Sequence, residues 1–467
     1  MIETDVNKAV ALQVYRTIQH IIMGDLPVEG VPEEQAESPY PSGNTYVTLE
    51  PVGRLLEEGD YKDPWTPSSK KGHGNLDAAR ALIDLVDMGQ ETYPIARATN
   101  NTVDHVYADI VSKPSVKAGQ PDPDLEAQLD AADKVLFHET EDGDIDDSPK
   151  YRHFKKLRTA YNDARAKYLA ARLDLIEKGV AIEDVEVRTT SQKQTMNDAY
   201  DDWQGIAEDI EDALNVKKTS GKFLVNSVFA RAKTNFEKSG YELGVPDATY
   251  HPVRVYPSTW ASADAARSNW PTLTITHKET ETDKTEEERN LTADGGFGNG
   301  FWGWNIDSEG GGEIKRDKLH KNTKNLKISF KYALCSISRS WFDATLFHLP
   351  NWSAPFRAGG ISDGTRSQPS TQHALPMVPT AFLCVRDVEI SADWGDDVKD
   401  YLSAANHQKI GVGFGPFKLA GYAENNKNET THQAVTFDGD TLKQPGLQIV
   451  AWVHEILPYS PPVGLTS

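Results

Sequence analysis

The spacing of apolar residues changes about halfway along the chain. From Asp122 to Phe236 they recur every three to four positions, the period of a helix that buries one face. From about His251 onward they alternate in short runs broken by Gly, Pro and Asn, the period of half-buried strands. Consecutive helices followed by consecutive strands predict segregated parts, not the β-α-β interleaving of a parallel sheet. The expected class is α+β, with an N-terminal helical bundle or hairpin half and a C-terminal antiparallel, β-sandwich-like half. The expected divisions are residues 1–71 (a helix and an extended arm), 72–245 (helical) and 246–467 (antiparallel β).

Stripes and caps place the individual elements. Val6, Val10, Val14, Ile18 and Ile22 form the stripe of a first helix over Asp5–Met23, with Gly24 to end it. That stripe needs a cover, from its own chain or from another subunit. Val10, Val14, Ile18 and Ile22 are therefore candidate assembly positions. Residues 26–71 are rich in Pro, Glu, Gly and Ser, and are expected to form an extended arm or linker. Asn75, Asn101 or Thr102, and Asp122-Pro123 mark further helix starts. The longest helix is predicted from Ser148/Pro149 to Lys178, with Phe154, Leu157, Tyr161, Ala164, Tyr168, Ala171 and Leu175 along one seam. It is expected to form an antiparallel hairpin with a helix over Ser191–Leu214.

Strands are predicted over Pro252–Tyr256, Thr272–His277, Leu326–Ile337, Ala381–Ile390, Val412–Tyr422, Ala434–Phe437 and Leu447–Leu457. The polar runs Lys278–Asn290 and Glu424–Thr431 have the composition of solvated hairpin tips.

Charge narrows the partners. Among 467 residues, 70 acidic side chains against 49 basic ones give a formal charge of -21. That balance disfavours nucleic-acid backbones and anionic lipid headgroups, both of which need clustered Lys and Arg. No nucleic-acid partner is expected. The two cysteines, Cys335 and Cys384, lie in apolar strand-like runs and are expected as free buried thiols, with one inter-strand bridge as the alternative. No stretch of eighteen apolar residues predicts a transmembrane helix. Met1-Ile2-Glu3-Thr4-Asp5 lacks the basic, apolar start of a secretory leader, so cytoplasmic synthesis is expected, with leaderless export left open.

Three motifs resemble chemistry without its setting. Gly298-Asn-Gly300-Phe-Trp-Gly303 matches a dinucleotide-binding loop but lacks the strand before it and the helix after it. Gly360-Ile-Ser362-Asp-Gly364 matches a nucleophile elbow, yet its flanks read as loop. The run Asp142 to Asp147 offers hard oxygen ligands without the spacing of a calcium loop, and is expected as a solvated turn. No cofactor, metal site or catalytic residue is predicted.

Aromatics concentrate instead at Phe297, Phe301, Trp302 and Trp304, and around Arg339, Trp341, Asp343 and Trp352. These form a candidate contact surface, with Arg339 and Asp343 expected to pair across a turn. The leading expectation is a non-enzymatic assembly or partner-binding protein. The alternatives are a β-hairpin pore-forming toxin-like protein, through Thr272–Asn290 and Val412–Phe437, and a carbohydrate-binding protein or enzyme using the aromatic surface.

Overall fold

The computed structural model describes residues 6–23, 44–67, 74–90, 98–116, 122–141, 143–242, 249–262, 270–276, 304–307, 326–354, 360–364, 373–394, 396, 399–400, 402, 411–424, 430–433 and 435–460. Its helices are Val6–Met23 (α1), Leu76–Val86 (α2), Val103–Ser112 (α3), Pro123–Leu136 (α4), Pro149–Glu177 (α5), Ile182–Arg188 (α6), Thr190–Gln204 (α7), Ala207–Gly221 (α8) and Val225–Ser239 (α9). The class is α+β, with helices mostly in the N-terminal half and strands mostly in the C-terminal half.

Three of the predicted helix starts are capped: Asn75 accepts from the N–H groups of Asp77 (2.9 Å) and Ala78 (3.1 Å), Asp122 from those of Asp124 and Leu125, and Ser148 from that of Tyr151. Thr102, expected with Asn101 as a cap, precedes α3 without a side-chain cap bond. Pro123 and Pro149 stand at helix starts, where a missing N–H costs nothing. Helices α5 and α7 form the expected hairpin: Tyr161 stacks on Trp203 at 5.5 Å, while Tyr168 meets Met196 further along. The single helix expected over Ser191–Leu214 breaks at Gly205–Ile206. Beyond the break, α8 leaves α5 and packs Ile210 and Ala213 against Ala132 and Leu136 of α4.

One large sheet gathers Thr45–Leu56 (β1), Arg254–Tyr256 (β2), Thr272–Thr276 (β3), Trp304–Asp307 (β4), Lys327–Ser338 (β5), Met377–Ser391 (β6), Gly411–Phe414 (β7), Phe417–Glu424 (β8), Thr430–Gln433 (β9), Thr436–Asp438 (β10), Thr441–Gln444 (β11) and Leu447–Ile456 (β12). Its strand order is β3-β5-β6-β12-β1-β8-β7-β4. Strand β2 also pairs with β5, β9 with β8, β11 with β6 and β10 with β11. Neighbours run antiparallel except β1 and β8, which meet in parallel where Leu56 faces Glu424.

Phe330 of β5 and Phe417 of β8 are four strands apart in this order, about 19 Å if the sheet were flat. Their rings are 5.0 Å apart. The sheet therefore curls until its two wings face each other, and Gln444 of β11 donates to the carbonyl of Leu419 on β8 at 2.6 Å. This is the sandwich-like arrangement. Leu273, Ile328, Tyr332, Val385, Phe414 and Leu419 belong to its inner core, together with Ala166 and Ala170 of α5. The outer face packs Ala333, Cys335, Phe382, Cys384, Ile449 and Trp452 against Leu82, Leu85 and Val86 of α2 and against Trp260. Both cysteines are free and buried.

Two expectations about the first 71 residues change. The stripe Val10, Val14, Ile18 and Ile22 is fully buried in the inner core of its own chain, so α1 has its cover already. Thr45–Leu56, expected within an extended arm, is an inner strand between β12 and β8. Pro51-Val52-Gly53 interrupts its alternation, and the register shifts between Leu49 and Arg54. Gly53 donates to the carbonyl of Pro416 at 2.7 Å, and a Cβ there would lie 2.5 Å from Oε1 of Gln448. Farther on, the strand expected over Val412–Tyr422 is a hairpin, turning at Gly415 with φ +53°. Residues 26–43 and 68–73, and the tips at 278–290 and 425–429, lie outside the described residues.

Candidate functional site: ionic junctions between helices and sheet

Among the described residues, three networks of buried charges lie where α-helices meet the sheet. A charge removed from water is tolerable only when paired and hydrogen-bonded, so each group has to close on itself.

The first group is built on Asp146 and Asp147, from the ribbon Phe137–Glu139/Ile145–Asp147 that precedes α5. Both side chains are fully buried. Asp146 holds the guanidinium of Arg254 on β2 with both oxygens, and accepts from Arg152 of α5 at 3.1 Å. Asp147 accepts from Lys155 at 2.9 Å, and Lys155 also donates to Ser338 at the end of β5, at 2.7 Å. Burial works against the Lys155 charge, but Asp147 outweighs it and holds the amine above its ordinary range.

Arg339, just after β5, centres the second. It donates to Asp87 at 2.9 Å, to the carbonyl of Val86 at 2.6 Å and to the carbonyl of Pro379 at 2.7 Å. The end of α2 is thereby tied to β6. The other oxygen of Asp87 accepts from the N–H of Asp104, in the first turn of α3, at 3.0 Å. Burial pushes the Asp87 carboxyl up to about 7, with Arg339 opposing and Asp104 adding to the rise. On β12, burial holds the His454 imidazole down at about 3.

In the third, Lys217 of α8 bridges Asp343 (2.6 Å) and Asp133 (3.0 Å). Asp133 passes the network to Arg231 of α9 at 3.1 Å, and Arg231 reaches Glu126 of α4 at 2.7 Å. Burial alone would raise the Asp343 carboxyl; Lys217 reverses the shift and lowers it. Asp343 also accepts from the N–H of Thr345 at 3.1 Å.

Arg339 and Asp343 are thus not each other's partners. One joins Asp87 and the other Lys217, because the turn between them sends the two side chains to different helices. The described aromatics of the expected contact surface lie inside the molecule. Trp341 is 1% exposed and donates its indole N–H to the Pro252 carbonyl at 3.0 Å. Trp352 packs on Phe229, and Trp304 on Trp394 and Phe414, each at 0% exposure. Phe297, Phe301 and Trp302 lie outside the described residues.

Ser362 is buried and its hydroxyl donates to the Leu457 carbonyl at 2.7 Å. Of the acidic run expected as a solvated turn, Asp146 and Asp147 are instead the counter-ions of the first junction. Among the described residues no group of three or more His, Cys, Asp or Glu side chains is placed to hold a metal, and no helix is long and apolar enough to cross a membrane.

Sequence reasoning missed Asp87, Asp133, Asp146, Lys155, Lys217, Arg231 and Arg254. Most of their partners are distant in the chain, as with Asp146 and Arg254, and the nearer ones, Asp147 to Lys155 and Asp146 to Arg152, cross from a ribbon to a helix, so no regular spacing marks them. The only local signal is an Asp-Asp pair directly before a Ser-Pro helix start. Comparison with family models, curated proteins and solved structures finds no match to this chain.

Proposed function

We propose that this protein is a structural component that works by associating with further copies of itself through the margin of its sheet. The supporting observation is strand β3. It pairs evenly with β5 from Thr272 opposite Lys331 to Thr276 opposite Lys327, with no bulge. No strand among the described residues pairs with its outer side. Soluble proteins guard such edges with charges, prolines or bulges. The sequence Thr-Leu-Thr-Ile-Thr contains none of these.

An added strand would continue the main-chain ladder, the mode by which sheets take up extended partners. The ionic junctions hold the helices on the sheet at the other end of β5, around Ser338, Arg339 and Asp343, away from this edge.

Light scattering after size exclusion, at two salt concentrations, tests the proposal. The expected mass exceeds the 51.7 kDa of one chain and, because main-chain bonds carry the contact, changes little with salt. Thr274→Lys, which sets a charge on the edge strand, is expected to return the protein to a single chain with its fold intact. A wild type that stays at one chain at its highest soluble concentration overturns the proposal.

A further inference from the structure

Strand β3 has a second property beyond its uncovered side, the direction of its free main-chain groups. The N–H of Tyr332 donates to the carbonyl of Pro271 at 3.2 Å. Opposed residues of an antiparallel pair alternate between exchanging both main-chain bonds and exchanging none. Pro271 faces Tyr332 one step before Thr272 faces Lys331, so Leu273 and Ile275 are the residues that bond to β5. The N–H and C=O groups of Thr272, Thr274 and Thr276 therefore point away from β5, to the side where no described strand lies.

The side chains repeat this alternation. Leu273 and Ile275 are buried in the inner core, whereas Thr272 and Thr276 are exposed and Thr274 is half-buried. By class of residue, Thr-Leu-Thr-Ile-Thr reads the same in both directions about Thr274. Laid antiparallel against the β3 of a second copy, it complements itself: Thr274 faces Thr274, Thr272 faces Thr276, and Leu273 faces Ile275. Each Thr–Thr pair exchanges two main-chain bonds, and three such pairs form. Threonine pairs and aliphatic pairs are both favourable neighbours across strands. A slip of one residue throws the free groups out of phase, and a slip of two sets a threonine against Trp270 or Lys278. The other margin of the sheet, β4, offers no such match. Its sequence, Trp-Asn-Ile-Asp, is shorter and includes a charge of the kind that guards edges.

We infer that two copies of this chain pair through β3 alone, antiparallel and with Thr274 on the two-fold axis, so that the assembly closes as a dimer with one continuous sheet. This pairing rests on the edge association proposed above, to which it adds a register, a symmetry and a copy number. Each copy presents the same residues to the other, so the contact is satisfied once two chains have met.

Disulfide trapping of the full chain tests this, with oxidised glutathione as oxidant and the products read on non-reducing gels against the 51.7 kDa single chain. In the expected register the two Cα atoms at position 274 are about 5.5 Å apart, within disulfide reach, whereas those at position 272 are roughly 14 Å apart. Thr274→Cys is expected to give a covalent dimer. Thr272→Cys alone should give none, but mixed with Thr276→Cys it should give one. The native thiols, Cys335 and Cys384, are buried, and wild type treated alike is the control. Light scattering should show two chains for untreated wild type. If T274C does not fold, the mixture of T272C and T276C decides. A covalent dimer from T272C alone overturns the register, as does the lack of one from both T274C and the mixture; a mass above one chain then leaves the edge association standing. A mass of three chains or more overturns the closed dimer in the same way. A wild type that stays at one chain overturns both.

Discussion

Replacing Asp146 with Asn tests whether the buried junctions hold the helices on the sheet. The Asp146 side chain is fully buried and holds two guanidiniums, those of Arg254 and Arg152, whose side chains are 14% and 22% exposed. Asn keeps the shape but removes the charge, and turns a donor toward two other donors. Removing one partner of a buried pair costs about 3–5 kcal/mol. Because both arginines retain some water, the lower end, about 3 kcal/mol, applies here. Asp209→Asn is the internal control: its pair with Lys150 is largely exposed, and its loss should cost less than about 0.5 kcal/mol. Urea unfolding followed by circular dichroism measures both. A double-mutant cycle with Arg254→Gln should show that the second change costs less in the D146N background than in wild type. If D146N unfolds within about 0.5 kcal/mol of wild type, or D209N costs as much, the junction is not what anchors α5 to the sheet.

Other perturbations probe other parts. Gly53→Ala places a Cβ 2.5 Å from Gln448 Oε1 and 2.6 Å from the Pro416 carbonyl, so overpacking of about 1–3 kcal/mol is expected in urea melts. Gly59→Ala, which meets nothing within 4 Å, should be near neutral in the same assay. Burial lowers the His251 imidazole from 6.5 to about 4, so the folded state favours the neutral ring; its contribution is lost as pH falls from about 6.5 to 4, and His251→Asn should flatten that loss in a melting-temperature series. Asp87 has the opposite sign. Its carboxyl is raised from 3.8 to about 7, so its contribution is present at low pH and lost as pH rises across that window, a slope that Asp87→Asn should remove.

The fold was largely legible because most elements carry their own signal. The caps at Asn75, Asp122 and Ser148, and the alternation Leu326, Ile328, Phe330, Tyr332, are local facts, and the structure uses them as expected. β1 was not legible, because Pro51 and Gly53 read as loop residues until a bulge and a close approach by Pro416 give them a place. The helix break at Gly205 was hidden by an apolar stripe that continues on both sides of it while changing partner, from α5 to α4. The ionic junctions were illegible for a different reason. Nothing in the composition around Asp87 or Lys217 says that a turn many residues away will bring Arg339 or Asp343 to it. Aromatic density at Trp341 and Trp352 was visible, but whether such a cluster faces inward depends on helices α3 and α9 covering it.

The position of β1 also bears on how the protein is made. Thr45 pairs with Glu455 and Leu56 with Leu447, so the centre of the sheet joins a segment near the start of the described chain to one near its end. A ribosome adding about 5–20 residues per second takes roughly 20–80 s to travel between them. Throughout that interval the α5–α7 hairpin can form from its own local contacts, whereas β1 and the stripe of α1 have no sheet to enter. The nascent chain therefore presents an uncovered apolar strand and helix until β12 emerges. Holdase chaperones would be expected to engage these two segments, and a messenger cut short before Leu447 yields a chain with a formed hairpin but no sheet centre.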